Sequence, residues 1–151
     1  MVRTLVFVAL ATLVAITPGC GGPPREARVA LVATAHALRV ADREVAPRYT
    51  VAADEAREHA ADWAAYDAAM RPWNETERAL RVAHTALLAT QAGLDAWEAG
   101  DQRGWLATVP CLVESLDQFR RALEAVGVHL TLVTEAVALA GSFAGRCEVQ
   151  P

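Results

Sequence analysis

Leu123-Glu124-Ala125-Val126-Gly127-Val128-His129-Leu130 decides how the last third of this chain folds. Before it, Leu112, Leu116, Phe119, Leu123 and Val126 recur at steps of three and four, which draws an apolar stripe along a helix. A glycine just past such a stripe supplies the left-handed residue that ends a helix in a Schellman turn, and the following apolar residue packs back on the last turn. Gly127, with Val128 against Leu123, fits that pattern. The reading is a helix ending near Val126, a turn over 127–130, and a new helix from about Thr131. Val133, Val137, Ala140 and Ala144 form the stripe of that last helix, which ends near Gly145.

Working toward the N-terminus, Asp101 to Thr108 reads as a connector, with Thr108 capping a helix whose first turn tolerates Pro110. Before it lies the clearest helix. Trp73, Thr76, Leu80, Ala83, Leu87, Thr90, Leu94 and Trp97 hold a seven-residue repeat, while Glu75, Arg78, Arg81, Asp95 and Glu98 lie opposite. Gly100 stands where a C′ residue is wanted. Pro72-Trp73-Asn74 reads as the start, with Asn74 as N-cap and Glu77 returning the bond. From Arg25 to Arg71 a third stripe runs through Ala35, Leu38, Asp42, Val45, Tyr49, Ala52, Ala56, His59, Trp63, Tyr66 and Met70. Pro47 interrupts it without shifting its phase, so a kink or break is expected there. A straight helix of that length would reach about 65 Å.

Composition agrees with helices throughout. Alanine makes up about a fifth of the 151 residues, and it is the strongest helix former. The expected fold is all-α: an antiparallel four-helix bundle, or five-helix if the chain breaks at Pro47. About 130 residues after the N-terminal segment suffice for one domain. The formal net charge is −4, with acidic residues interleaved among fourteen basic ones that are all arginine. That pattern lacks the basic face a nucleic-acid partner requires.

The N-terminus carries an address. Arg3 precedes an apolar block from Leu5 to Ile16, inside the roughly 7–15 residues of an export signal and short of the about 20 that span a bilayer. Thr17-Pro18-Gly19-Cys20 then resembles the lipobox of bacterial lipoproteins, a small residue before the cysteine that receives lipid; Thr17 stands where that motif usually has Leu, Val or Ile. The resemblance covers residues 1–20. It implies a signal peptide over 1–19, diacylglycerol on the Cys20 sulfur and a membrane partner through that lipid. Residues 20–24 form the lipidated cysteine and a short Gly/Pro tether, and 25–147 the helical domain. Gly21, where Asp commonly retains such proteins in the inner membrane, points to the outer membrane of a two-membrane cell, facing periplasm or exterior.

With Cys20 lipidated, Cys111 and Cys147 are the remaining thiols, in a compartment where disulfides persist. On one straight helix they would lie about 54 Å apart, whereas a bridge needs Cα atoms within about 7 Å. Their midpoint is 129, inside the turn at Gly127–Leu130, so a fold-back brings them level. A Cys111–Cys147 disulfide is the expectation; two buried free thiols are the alternative.

Candidate chemistry is sparse. The residues three before the histidines are Ala33, Ala56, Arg81 and Val126, so no Glu-x-x-His pair of a di-iron bundle is present. Glu55, His59 and Asp62 share a helix face and read as a solvated charge ladder. Covalent haem would need Cys-x-x-Cys-His, which is absent. Ser115 and Ser142 lack a strand-to-helix elbow. The chain thus reads as non-catalytic, without a cofactor, in a structural or protein-interaction role toward an envelope partner. The alternative is a small-ligand, haem or metal-binding bundle with His59, Trp63 and His84 lining a pocket between helices. The tryptophans read as plugs at the ends of the bundle, or as an exposed docking patch.

Overall fold

The computed structural model describes residues 25–100 and 102–144; the expected signal segment, Cys20, the expected tether and Cys147 lie outside them. Four helices follow in order: α1 over Arg25–His59, α2 over Trp63–Glu98, α3 over Gln102–Ala125 and α4 over Thr131–Ala144. Neighbours in sequence pack on each other, α2 on α3 most extensively, and α1 closes the ring against α4. The result is an antiparallel four-helix bundle.

The polar ties between helices show the up-and-down order. Thr76 Oγ1 donates to the Ala122 carbonyl at 3.1 Å and Thr90 Oγ1 to that of Thr108 at 3.3 Å, two pairs equidistant from the turn after Glu98. Tyr49 donates to Asn74 Oδ1 at 2.9 Å, and Arg28, at the start of α1, clasps Glu98 at the end of α2. Each pair requires its two helices to run in opposite directions.

The stripe residues build the core. Leu80, Ala83, Leu87 and Leu94 of α2 meet Leu112, Leu116, Phe119 and Leu123 of α3, all buried. Ala27, Ala30, Leu38 and Ala41 let α1 lie close against them, with Val133 and Ala140 of α4 completing the layer. Gly93 lets α2 come close to α3: a Cβ there would meet Thr108 Oγ1 at 3.0 Å and the backbone nitrogen of Trp105 at 3.1 Å.

Both glycine turns form as read. Gly127 has φ +73°; its N–H donates to the Glu124 carbonyl and the Val128 N–H to that of Leu123 at 2.9 Å, a full Schellman ending over buried Leu123 and Val128. Gly100, at φ +103°, donates to the Trp97 carbonyl.

Three boundaries differ from the sequence reading. The first helix ends at His59, not Arg71, and runs unbroken through Pro47. The chain turns at Ala60–Asp62, where Asp62 in extended conformation accepts from the Ala65 N–H at 2.8 Å and caps α2. Asn74 therefore caps nothing: it sits inside α2 beyond Pro72, and Glu77 pairs with Arg81 instead. In the same way Thr108 lies inside α3, its hydroxyl donating to the Gly104 and Trp105 carbonyls, so Gln102 to Thr108 is helix, not connector. At each site a back-bonding or cross-helix contact occupies the side chain that was read as a cap.

Candidate functional site

The α1–α2 corner is the most distinctive surface. Because Thr76 stands opposite Ala122 near the end of α3, the part of α2 before it and the matching part of α1 project past the α3–α4 turn as a two-helix arm. Its interior is a cluster of its own, Ala53, Ala56 and Met70, with Tyr49, Tyr66 and Trp73 packed around it. Two of those three core residues are alanines, so the two helices approach closely, and the stripe from Tyr49 to Met70 folds back on itself to close the arm.

Trp63 stands at the tip. It is 77% exposed and stacks on Tyr66, ring centroids 5.1 Å apart at 23°. Below it, Pro47, Arg48, Val51 and Glu55 of α1, Trp73 of α2 and Val126 at the end of α3 line an open groove of about 410 Å³. The floor is apolar and a charge of each sign sits on α1, at Arg48 and Glu55. No ion pair among the described residues engages Glu55, while Arg57 is tied to Asp54 at 2.8 Å.

The four tryptophans divide by role. Trp97 and Trp105 meet edge-on across the second turn, centroids 6.2 Å apart at 72°, with Trp105 buried. They close that end of the bundle. Trp73 is half-buried in the seam between arm and core, and Trp63 closes nothing.

His59, Trp63 and His84 do not converge. His59 is exposed at the end of α1 and Trp63 lies just across the corner, but His84 is twenty-one residues further along α2, about 31 Å at 1.5 Å per residue. The cavity where all four helices meet is at the other end. It is about 10 Å³ and lined by Ala27, Thr34, Thr90, Trp105 and Ala140 among others, against about 300 Å³ or more for a typical small-molecule site. Among the described residues no group of three His, Cys, Asp or Glu gathers in metal-binding geometry.

Cys111 is exposed on α3, its Sγ 3.7 Å from the Ala107 carbonyl, and Ser115 donates to the Cys111 carbonyl at 2.6 Å. Its proposed partner Cys147 lies outside the described residues, as does Cys20. No helix among the described residues is long and apolar enough to cross a membrane.

Electrostatics where α1 begins and α2 ends is local. The hydrogen bond from Arg28 holds the Glu98 carboxyl below the usual carboxylate range, and that bond together with the opposite charge raises the Arg28 guanidinium in turn. Asp117 and Glu124 do the same for Arg120 on α3. These are surface clasps, not reactive groups. Sequence reasoning held an exposed patch only as the alternative for the tryptophans and placed Trp63 on a buried stripe, because that stripe runs on without a change of phase; an aspartate directly before it was the one signal of a helix start. No protein-family model, no curated protein and no solved structure matches this chain.

Proposed function

We propose that this chain is a lipid-anchored cell-envelope protein whose non-catalytic helical bundle presents the α1–α2 arm to a protein partner. The observation that carries the docking reading is Trp63, largely in solvent at the tip of an arm that the core does not need. Tryptophan and tyrosine dominate interface hot spots because they bury much area at little cost in side-chain entropy. The groove beside the arm, with Trp73 and Val126 in its floor, extends the same apolar surface.

The anchor would sit at the opposite end. Cys20 precedes Arg25 by five residues, and α1 carries the chain about 52 Å from there to His59 at 1.5 Å per residue. An upright bundle thus holds Trp63 well clear of the membrane that the lipid enters, which favours a protein partner over that bilayer. The proposed Cys111–Cys147 bridge would fasten the tether end: Ala140 lines the same small cavity as Val109 and Leu112, so the end of α4 lies beside the start of α3. Such a bridge closes a loop worth about 3–4 kcal/mol on the chain-entropy model.

A photo-crosslinking residue placed at Val51, exposed in the groove beside the arm, should give a discrete protein adduct in intact cells that is lost when W63A is added to the same chain. The same probe at Leu88, also exposed but on the side of the bundle, should not give it. Identical adducts from both positions would contradict the docking role of the arm.

A further inference from the structure

Thr34 is 1% exposed, and its Oγ1 has no hydrogen-bond partner among protein atoms. The other buried or half-buried threonine and serine hydroxyls behave differently. Those of Thr76, Thr90, Thr108 and Ser115 each donate to the carbonyl four residues back, the usual retreat for a hydroxyl in a helix. Thr34 instead lines the cavity at the meeting point of the four helices, together with Ala30, Thr90, Trp105, Val109 and Ala140. A buried hydroxyl left unpaired has given up its hydration with nothing in return, so Thr34 calls for a partner. The cavity measures about 10 Å³, at the lower limit of the about 10–15 Å³ needed to admit one water and far below any larger ligand.

We infer that this cavity binds a single structural water between Thr34 and Thr90. The hydrogen-bonding capacities match. The Thr90 hydroxyl shares its one proton between the Ala86 carbonyl at 2.7 Å and the Thr108 carbonyl at 3.3 Å, and keeps lone pairs free to accept. The water accepts from Thr34 O–H and donates one proton to Thr90 Oγ1. Two protein partners are the minimum for a buried water, and the volume of the cavity leaves room for one molecule alone. The bound water supplies what α1 otherwise lacks. Threonine hydroxyls tie α2 to α3 directly inside the bundle, whereas the described polar ties of α1 to α2, through Arg28 and Tyr49, lie on exposed side chains. Thr34, water, Thr90 and the Thr108 carbonyl form one chain from α1 to α3, which sets the rotation and register of α1 at the end where the chain enters the bundle.

The test uses the full-length chain. In solution, a long-lived water should give nuclear Overhauser contacts to the Thr34 and Thr90 side chains. A crystal structure should place it about 2.7–3.0 Å from both hydroxyl oxygens. T34S keeps the hydroxyl and should keep the water; T34V should lose it. Because the water couples the two threonines, the change in unfolding constant for T34V/T90V should differ from the product of the single changes by at least about threefold. A dry cavity in the unsubstituted protein, a Thr34 hydroxyl turned back onto the Ala30 carbonyl, or additive effects in the cycle would each overturn the assignment.

Discussion

At the scale of single residues, Gly127 and the Arg28–Glu98 clasp make the sharpest predictions. A β-carbon at φ +73° is strained whatever the surrounding space, and nothing lies within 4 Å of one at Gly127. The cost of G127A is therefore conformational, about 1–2 kcal/mol. Urea denaturation should show a lower midpoint with an unchanged slope, and G127N should recover part of the loss because asparagine tolerates that region better. The clasp gives a pH dependence whose sign follows from the shift. Glu98 is held below its unfolded value, so its contribution is fully present above the ordinary carboxylate range and is lost as pH falls through the depressed value. Arg28 stays charged throughout. Stability measured from pH 6 down to pH 3 should therefore decline slightly more steeply for the unsubstituted protein than for R28Q; equal slopes would show the pair to be inert.

At the scale of elements, the arm depends on how α2 begins. D62A removes the acceptor for the Ala65 N–H and should cost about 1 kcal/mol. The loss should appear as faster amide exchange over 60–70, with α3 and α4 unchanged, since the arm has its own small core. The same element explains what was legible in the sequence and what was not. The buried faces of α2 and α3 were readable because leucines and phenylalanine alternate with charged residues at helical spacing; in α4, with Glu135 its one charge, the stripe caught Val133 and Ala140 but not buried Ala136. Both glycine turns were readable because only glycine takes positive φ cheaply. The α1–α2 corner was not. Alanine on both sides has the same helix propensity inside and outside the turn, and the stripe keeps phase through it. Proline misled in the other direction. Pro47, Pro72 and Pro110 all lie inside helices, where the packing of long neighbours outweighs the lost hydrogen bond at each. With the boundary misplaced, Trp63 was read as part of a stripe and grouped with His84, from which a length of α2 separates it.

At the scale of the whole molecule, the two ends of the bundle differ in kind. One end gathers Trp97, Trp105, the Arg28–Glu98 clasp, the Thr34 cavity, the start of α3 with Cys111 and the chain's entry into α1. It is closed and tied. The other end is an alanine-cored arm with an exposed tryptophan and an open groove. A molecule fastened to a surface at its closed end and reaching outward with the other fits this polarity, and that is the central claim. Mass spectrometry of the protein extracted from membranes under non-reducing conditions tests it most directly. The predicted result is a chain that begins at Cys20 with a diacylglycerol adduct and carries Cys111 and Cys147 in one crosslinked pair of peptides. A chain that keeps Met1, bears no lipid and is recovered from the cytosolic fraction with both thiols reduced would contradict it.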